Sequence, residues 1–151
     1  ANRAPGLECL TRARELFVAE KLTVSLRRMV DIEFARERAR SGDVDAAIDS
    51  ATTVLDEQFE CGEVIFRGPA TAVLVEALLS RGSAADLEAA HHAVDRLAAV
   101  PTEPGFVLFE LPVLRLRGLL ARARRDEAGH RRFTQRCLTL AREAGYEAYL
   151  G

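Results

Sequence analysis

The chain of 151 residues has no tryptophan, 6% aromatic residues and, at Lys21, a single lysine. No apolar run approaches the roughly 18 residues that a membrane span needs, and no short apolar segment follows a basic N-terminus. A soluble, cytoplasmic protein is the expectation. The three cysteines, Cys9, Cys61 and Cys137, are odd in number and widely spaced, which fits reduced thiols better than a disulfide framework or a zinc site. All three are read as small core residues. A phosphate-binding loop needs a glycine-rich turn running into Lys and Ser/Thr, and no such turn precedes Lys21. Gly-x-Ser-x-Gly, His-Glu-x-x-His, Cys-x-x-Cys and a dinucleotide-binding glycine pattern are also missing. Hence no catalytic, cofactor-binding or metal residue is assigned, no cofactor is expected, and the chain alone is read as not an enzyme.

What is present is helical. The chain is 48% hydrophobic and 29% charged with a formal net charge of −2, the balance of a globular domain with a substantial core. Arginine supplies 20 of the 21 basic residues and alanine, at 25 positions, is the commonest residue; both favour helix. The best strand candidate, Glu63-Val64-Ile65-Phe66 between Gly62 and Gly68, is too short to found a sheet.

Helix punctuation recurs. Gly68-Pro69 reads as a cap followed by Pro at the first helical position, ahead of a stripe of Ala70, Val73, Leu74, Ala77 and Leu78 that stops at Gly82. Ser83 with Asp86 resembles a capping box opening a second stripe, Leu87, Ala90, Val94, Leu97 and Ala98. Upstream, Ser41-Gly42-Asp43 separates one helix from the stripe Val44, Ala47, Ile48, Ala51, Val54, Leu55 and Phe59. Downstream, Arg125-Asp126 separates Val113, Leu116, Leu119, Leu120 and Ala123 from Phe133, Cys137, Leu140, Ala141 and Ala144. Aligned on Asp43, Asp86 and Asp126, the second helices recur at 43 and 40 residues, with small residues Ala46, Ala89 and Gly129 three places on to admit close packing. Such a period predicts an all-α, tetratricopeptide-like α-solenoid of about three helix pairs, at 24–61, 68–100 and 107–145. Residues 1–23 add a further helical segment. Leu22, Leu26, Met29 and Val30 are in phase, and one long helix or two shorter ones can fill residues 7–30. Pro112 either starts a helix or kinks one that began near Phe106.

Four polar features are weighed for function. Glu88, His91, His92 and Asp95 share one helix, but adjacent histidines diverge by about 100° around it, so a solvated polar face is preferred to a metal or pH-sensing site. His130 is read as exposed. Between Asp43 and Glu63 stand seven acids and no base, of which Asp45 and Asp49 share a helical face and could imitate a weak magnesium site. Nine arginines lie between Arg115 and Arg142. Arg115, Arg117, Arg122 and Arg124 flank an apolar seam, where long stems cover it and heads reach solvent. Aromatic interleaving is absent, and nucleic-acid binding by this segment is disfavoured.

Residues 35–43 (ARERARSGD), 68–76 (GPATAVLVE), 97–101 (LAAVP), 114–124 (LRLRGLLARAR) and 141–147 (AREAGYE) together resemble the C-terminal helical region of actinobacterial, especially mycobacterial, signalling proteins. In that family a class III adenylate/guanylate cyclase domain precedes an ATPase and a tetratricopeptide-like region, and some relatives end in a LuxR-type DNA-binding domain. The resemblance spans residues 31–147. It implies that catalysis resides in upstream domains and that no catalytic residue transfers to this chain; the start at Ala1, without Met, fits a fragment of a larger protein. Pro112 departs from a usually unbroken helix, and the Trp-containing tail usual in the family is absent. The expected function is a non-catalytic interaction or regulatory module binding a protein partner or its own upstream domains, with homodimerisation expected of exposed terminal pairs. The alternative is part of a LuxR-type transcriptional regulator; an enzyme with an unfamiliar helical site ranks third.

Overall fold

The computed structural model describes residues 4–19, 24–103 and 106–146. The described residues form seven helices and no strand, so the protein is all-α. They are α1 (Ala4–Ala19), α2 (Val24–Ser41), α3 (Val44–Glu60), α4 (Arg67–Arg81), α5 (Ala84–Ala98), α6 (Val107–Ala123) and α7 (Glu127–Glu143). Residues 7–19 belong to α1 and residues 24–30 to α2; residues 20–23, Leu22 among them, lie outside the described residues. The chain divides into two compact units, Ala1–Arg81 and Gly82–Gly151. This division falls inside the span 68–100 read as the middle pair, so α4 is described with the first unit and α5 with the second.

In the first unit α2 and α3 form a hairpin, α4 packs against both, and α1 packs against α2. The hairpin turn follows from Gly42, whose φ of 94° ends α2. Its amide donates to the Ala39 carbonyl at 3.2 Å while the Asp43 amide donates to Arg38 at 3.0 Å, satisfying two carbonyls that the helix end leaves open. The α3 and α4 stripes are buried as their periodicity predicts: Ala47, Ile48, Ala51, Val54 and Leu55, then Ala70, Val73, Leu74, Ala77 and Leu78. Each of the larger side chains contributes about 1.5–3 kcal/mol by leaving water. Phe59, expected in the first stripe, is half-buried, and Gln58 takes the buried place.

Three sequence readings are corrected in this unit. The α2 stripe holds only in part: Val30 is buried as read, but Leu26 and Met29 are 43% and 42% exposed while Arg28, Ile32 and Ala35 are buried. Arg28 enters the interior because partners from the α3–α4 connection meet its charge there. Second, α4 starts at Arg67 rather than at Pro69; Pro69 still lies in the first turn, where its missing N–H costs nothing. Residues 63–66 form the loop before it, with Val64 and Ile65 exposed. Third, of the cysteines read as core residues only Cys137 is buried; Cys9 and Cys61 are exposed.

In the second unit α6 packs against α5 and α7. The capping box of α5 forms as read: Asp86 N donates to Ser83 Oγ at 3.1 Å and Ser83 N to Asp86 Oδ2 at 2.9 Å. Ser83 is therefore the cap and Asp86 lies three residues inside, which shifts the alignment on Asp43, Asp86 and Asp126 out of register in its middle member. Nor does Ala89, the small residue of the middle member, draw helices together, since it is exposed. Gly129 is small because the Asp126 carboxylate occupies the space a Cβ would take. The α6–α7 turn repeats the α2–α3 turn with Arg125 at φ 59°: Arg125 N donates to Arg122 O at 3.0 Å and Asp126 N to Ala121 O at 2.9 Å. Of the two options for Pro112, the structure takes a helix capped at Phe106 with Pro112 inside it. Leu111, Leu114, Cys137 and Ala141 form the α6–α7 core with Val107, Phe133 and Leu140 against it. Ala98 and Ala123, assigned to stripes, are exposed at helix ends.

Candidate functional site

The four polar residues of α5 meet the arginines of α6. Glu88 and Asp95 lie two turns apart on one helix face, as do Arg117 and Arg124. The helices run antiparallel: Arg124 reaches Glu88 at 3.6 Å and Arg117 reaches Asp95 at 4.0 Å. Both pairs are long and solvent-exposed, and each is worth at most about 1 kcal/mol. Between them is a cleft of about 210 Å³ floored by Val94, Leu120, Ala121 and Phe133 and lined by His91, Asp95, Arg117, Arg124 and Asp126. His92 points away and is exposed, whereas His91 is half-buried. His91 Nε2 is buried without a hydrogen-bond partner. Burial, reinforced by the charge of Arg124, holds the His91 imidazolium below its ordinary range, against the opposing pull of Asp95 and Glu88.

A second cleft, of about 260 Å³, lies among α1, α2 and α3. Asp31 accepts Arg14 at 3.1 Å and Arg27 at 3.5 Å. Across the cleft Arg38 donates to Ser50 Oγ at 2.5 Å, and Arg14 lies 5.9 Å from the centre of the Phe34 ring. Asp49 lines this cleft, while Asp45 turns toward α4 and accepts Arg81 at 2.7 Å. The two acids weighed as a magnesium mimic therefore have different surroundings. Among the described residues no three His, Cys, Asp or Glu side chains converge as a metal would require.

His130, expected to be exposed, is half-buried, with Nδ1 2.9 Å from the Gly118 carbonyl across the α6–α7 interface. Near the start of α6, Phe106 and Phe109 stack at 5.7 Å beside a cleft of about 270 Å³ that Leu97, Val113 and Glu110 also line.

One polar centre went unnoticed in the sequence. Arg28 Nη1 donates to Cys61 Sγ at 2.8 Å and to Glu63 Oε2 at 2.8 Å, with Glu57 3.8 Å from Nη2. Nearby in the chain, Arg67 Nη2 donates to the Gln58 carbonyl at 3.1 Å and its guanidinium lies over the Phe59 ring at 4.2 Å. The signal available was an acidic run with no base of its own, whose counter-charges had to come from other helices. No helix among the described residues is long and apolar enough to cross a membrane. Scans of family models and searches among characterised proteins and solved structures find no match to this chain.

Proposed function

We propose that the chain is a non-catalytic helical-repeat module of the α-solenoid kind, serving a cytoplasmic multidomain cyclase–ATPase signalling protein by binding a protein partner or that protein's own upstream domains. The observation that carries this reading is the recurrence of one helix hairpin. α2–α3 and α6–α7 end their first helix with the same pair of hydrogen bonds around a positive-φ residue, and an aspartate begins the second helix. Repeat modules build from such hairpins and present the grooves between helices to partners. The shallow α5–α6 cleft, edged by both signs of charge in weak pairs, suits a complementary polypeptide surface, which gains specificity from charge matching. The resemblance to the cyclase–ATPase family supplies the wider context.

The test is hydrogen exchange on the full-length protein beside this chain alone. Protection across α5 and α6 in the longer protein, abolished by the double change Arg117→Glu and Arg124→Glu, is the expected result. Unchanged exchange there would remove the proposed contact. Turnover of ATP or GTP by the chain itself, lost on Asp45→Ala or Asp49→Ala, would overturn the non-catalytic reading. DNA affinity falling steeply with salt would favour the LuxR-type alternative.

A further inference from the structure

We propose that the α5–α6 edge docks a second copy of this chain, turned end over end so that the Phe106 ring of each copy enters the cleft beside Arg124 of the other. The inference rests on the reading of that cleft as a docking surface and names its occupant. The two clefts along α5 and α6 meet at Arg117, which lines both. Glu110, Val113, Arg117, Leu120 and Arg124, spaced alternately three and four residues apart, set one face of α6 along them. From Glu110 to Arg124 this face is roughly 21 Å long.

Its two ends are unlike and complementary. At the start of α6 the Phe106 side chain is 44% exposed, with its ring stacked on Phe109 at 5.7 Å. The stack already holds the ring, so burying it sacrifices little freedom, and aromatic anchors of this kind dominate interface energies. Two acids flank it, exposed Glu103 and half-buried Glu110. At the far end is the cleft of about 210 Å³, with an apolar floor that includes Val94, Leu120 and Phe133 and with Arg117 and Arg124 at its edge. Their ion pairs with Asp95 and Glu88, at 4.0 and 3.6 Å, are long and exposed and leave both arginines open to a further acid. Phe106 and Leu120 stand roughly 21 Å apart on one rigid helix, so a chain's own ring cannot reach its own cleft. A second copy laid parallel would set acids against acids. Reversed about a two-fold axis, it sets Glu103 against Arg124 and seats a ring at both ends, and the assembly closes at two chains.

The experiment is sedimentation of the intact chain over a range of concentrations. Its mass is expected to rise from one chain toward two and to stop there. Phe106→Asp should weaken the association by about tenfold or more. Leu108→Asp should leave it unchanged, because Leu108, although 54% exposed, lines neither cleft. Glu103→Arg and Arg124→Glu should each weaken it, and a chain carrying both should recover, since the reversed charges again meet their opposites across the axis; this swap tests the arrangement even if Phe106→Asp disturbs the start of α6. A monomer at every concentration, a mass that continues past two chains, a loss through Leu108→Asp but not Phe106→Asp, or a double reversal no better than either single one overturns the proposal. The two readings of the cleft fail separately. A monomer removes the second copy and leaves the upstream contact to the hydrogen-exchange test, whereas a dimer with these variant effects and unchanged exchange in the full-length protein removes the upstream contact alone.

Discussion

Asp126 caps α7 through Oδ1, 2.8 Å from the Gly129 amide nitrogen, and a Cβ at position 129 would stand 2.1 Å from its other oxygen. Cap and glycine therefore exclude alternatives at each other's position. Gly129→Ala gains about 1 kcal/mol of helix propensity but turns the carboxylate out of its capping position, which costs about 1 kcal/mol. The single change should leave stability near that of the parent. Asp126→Ala should cost about 1 kcal/mol in the parent and close to nothing beside Gly129→Ala. Urea unfolding of the four proteins in this cycle measures the coupling, and additive effects would show that a methyl at position 129 does not displace the cap.

The two matching turns differ in one residue. Gly42 enters the left-handed region freely, whereas Arg125 does so with a side chain, at a cost of about 1–2 kcal/mol. Arg125→Gly should raise the unfolding midpoint and Gly42→Arg should lower it, because the hydrogen bonds of both turns need the same backbone. Thermal melting of each variant against the parent checks the opposite signs.

Burial separates positions that hydrophobicity alone makes look alike. Val94 is 1% exposed and Leu74 7%, so replacing either with Asp should cost at least about 3 kcal/mol. Leu26 is 43% exposed, and Leu26→Asp should change stability by no more than about 0.5 kcal/mol. Circular dichroism melts distinguish these outcomes; a severe loss from Leu26→Asp would return that residue to the interior.

The same contrast explains what the sequence can disclose. Most of each stripe on α3, α4 and α5 was legible because each helix presents a mainly apolar face with clear punctuation, as at Ser83 and Asp86, although Gln58, Thr71 and Asp86 are buried among the apolar residues. On α2 two phases compete, and the choice depends on Arg28 finding Glu63 and Cys61, more than thirty residues later in the chain. No local pattern carries that information. Seam-flanking arginines were visible on α6, but their pairing with Glu88 and Asp95 depends on how α5 crosses it. Likewise His130 gains its carbonyl partner only through the approach of α7 to Gly118.

His91 should make stability depend on pH. It faces Glu88 and Asp95 from its own helix and Arg117, Arg124 and Asp126 across the cleft. Burial and Arg124 together outweigh the carboxylates, so the folded-state pKa lies below the ordinary 6.5 of the unfolded chain. The unfolded chain therefore binds the proton first as pH falls. Stability from the neutral imidazole is present above about 6.5 and is lost progressively as pH drops through that value toward the folded pKa. His91→Gln, neutral throughout, should flatten the decline in melting temperature across this window. In the folded protein Arg124→Gln should raise the His91 titration midpoint seen by NMR, since it removes the positive charge that opposes protonation. An unaltered slope in His91→Gln, or a midpoint that Arg124→Gln leaves in place, would show that the imidazole does not feel the cleft's charges.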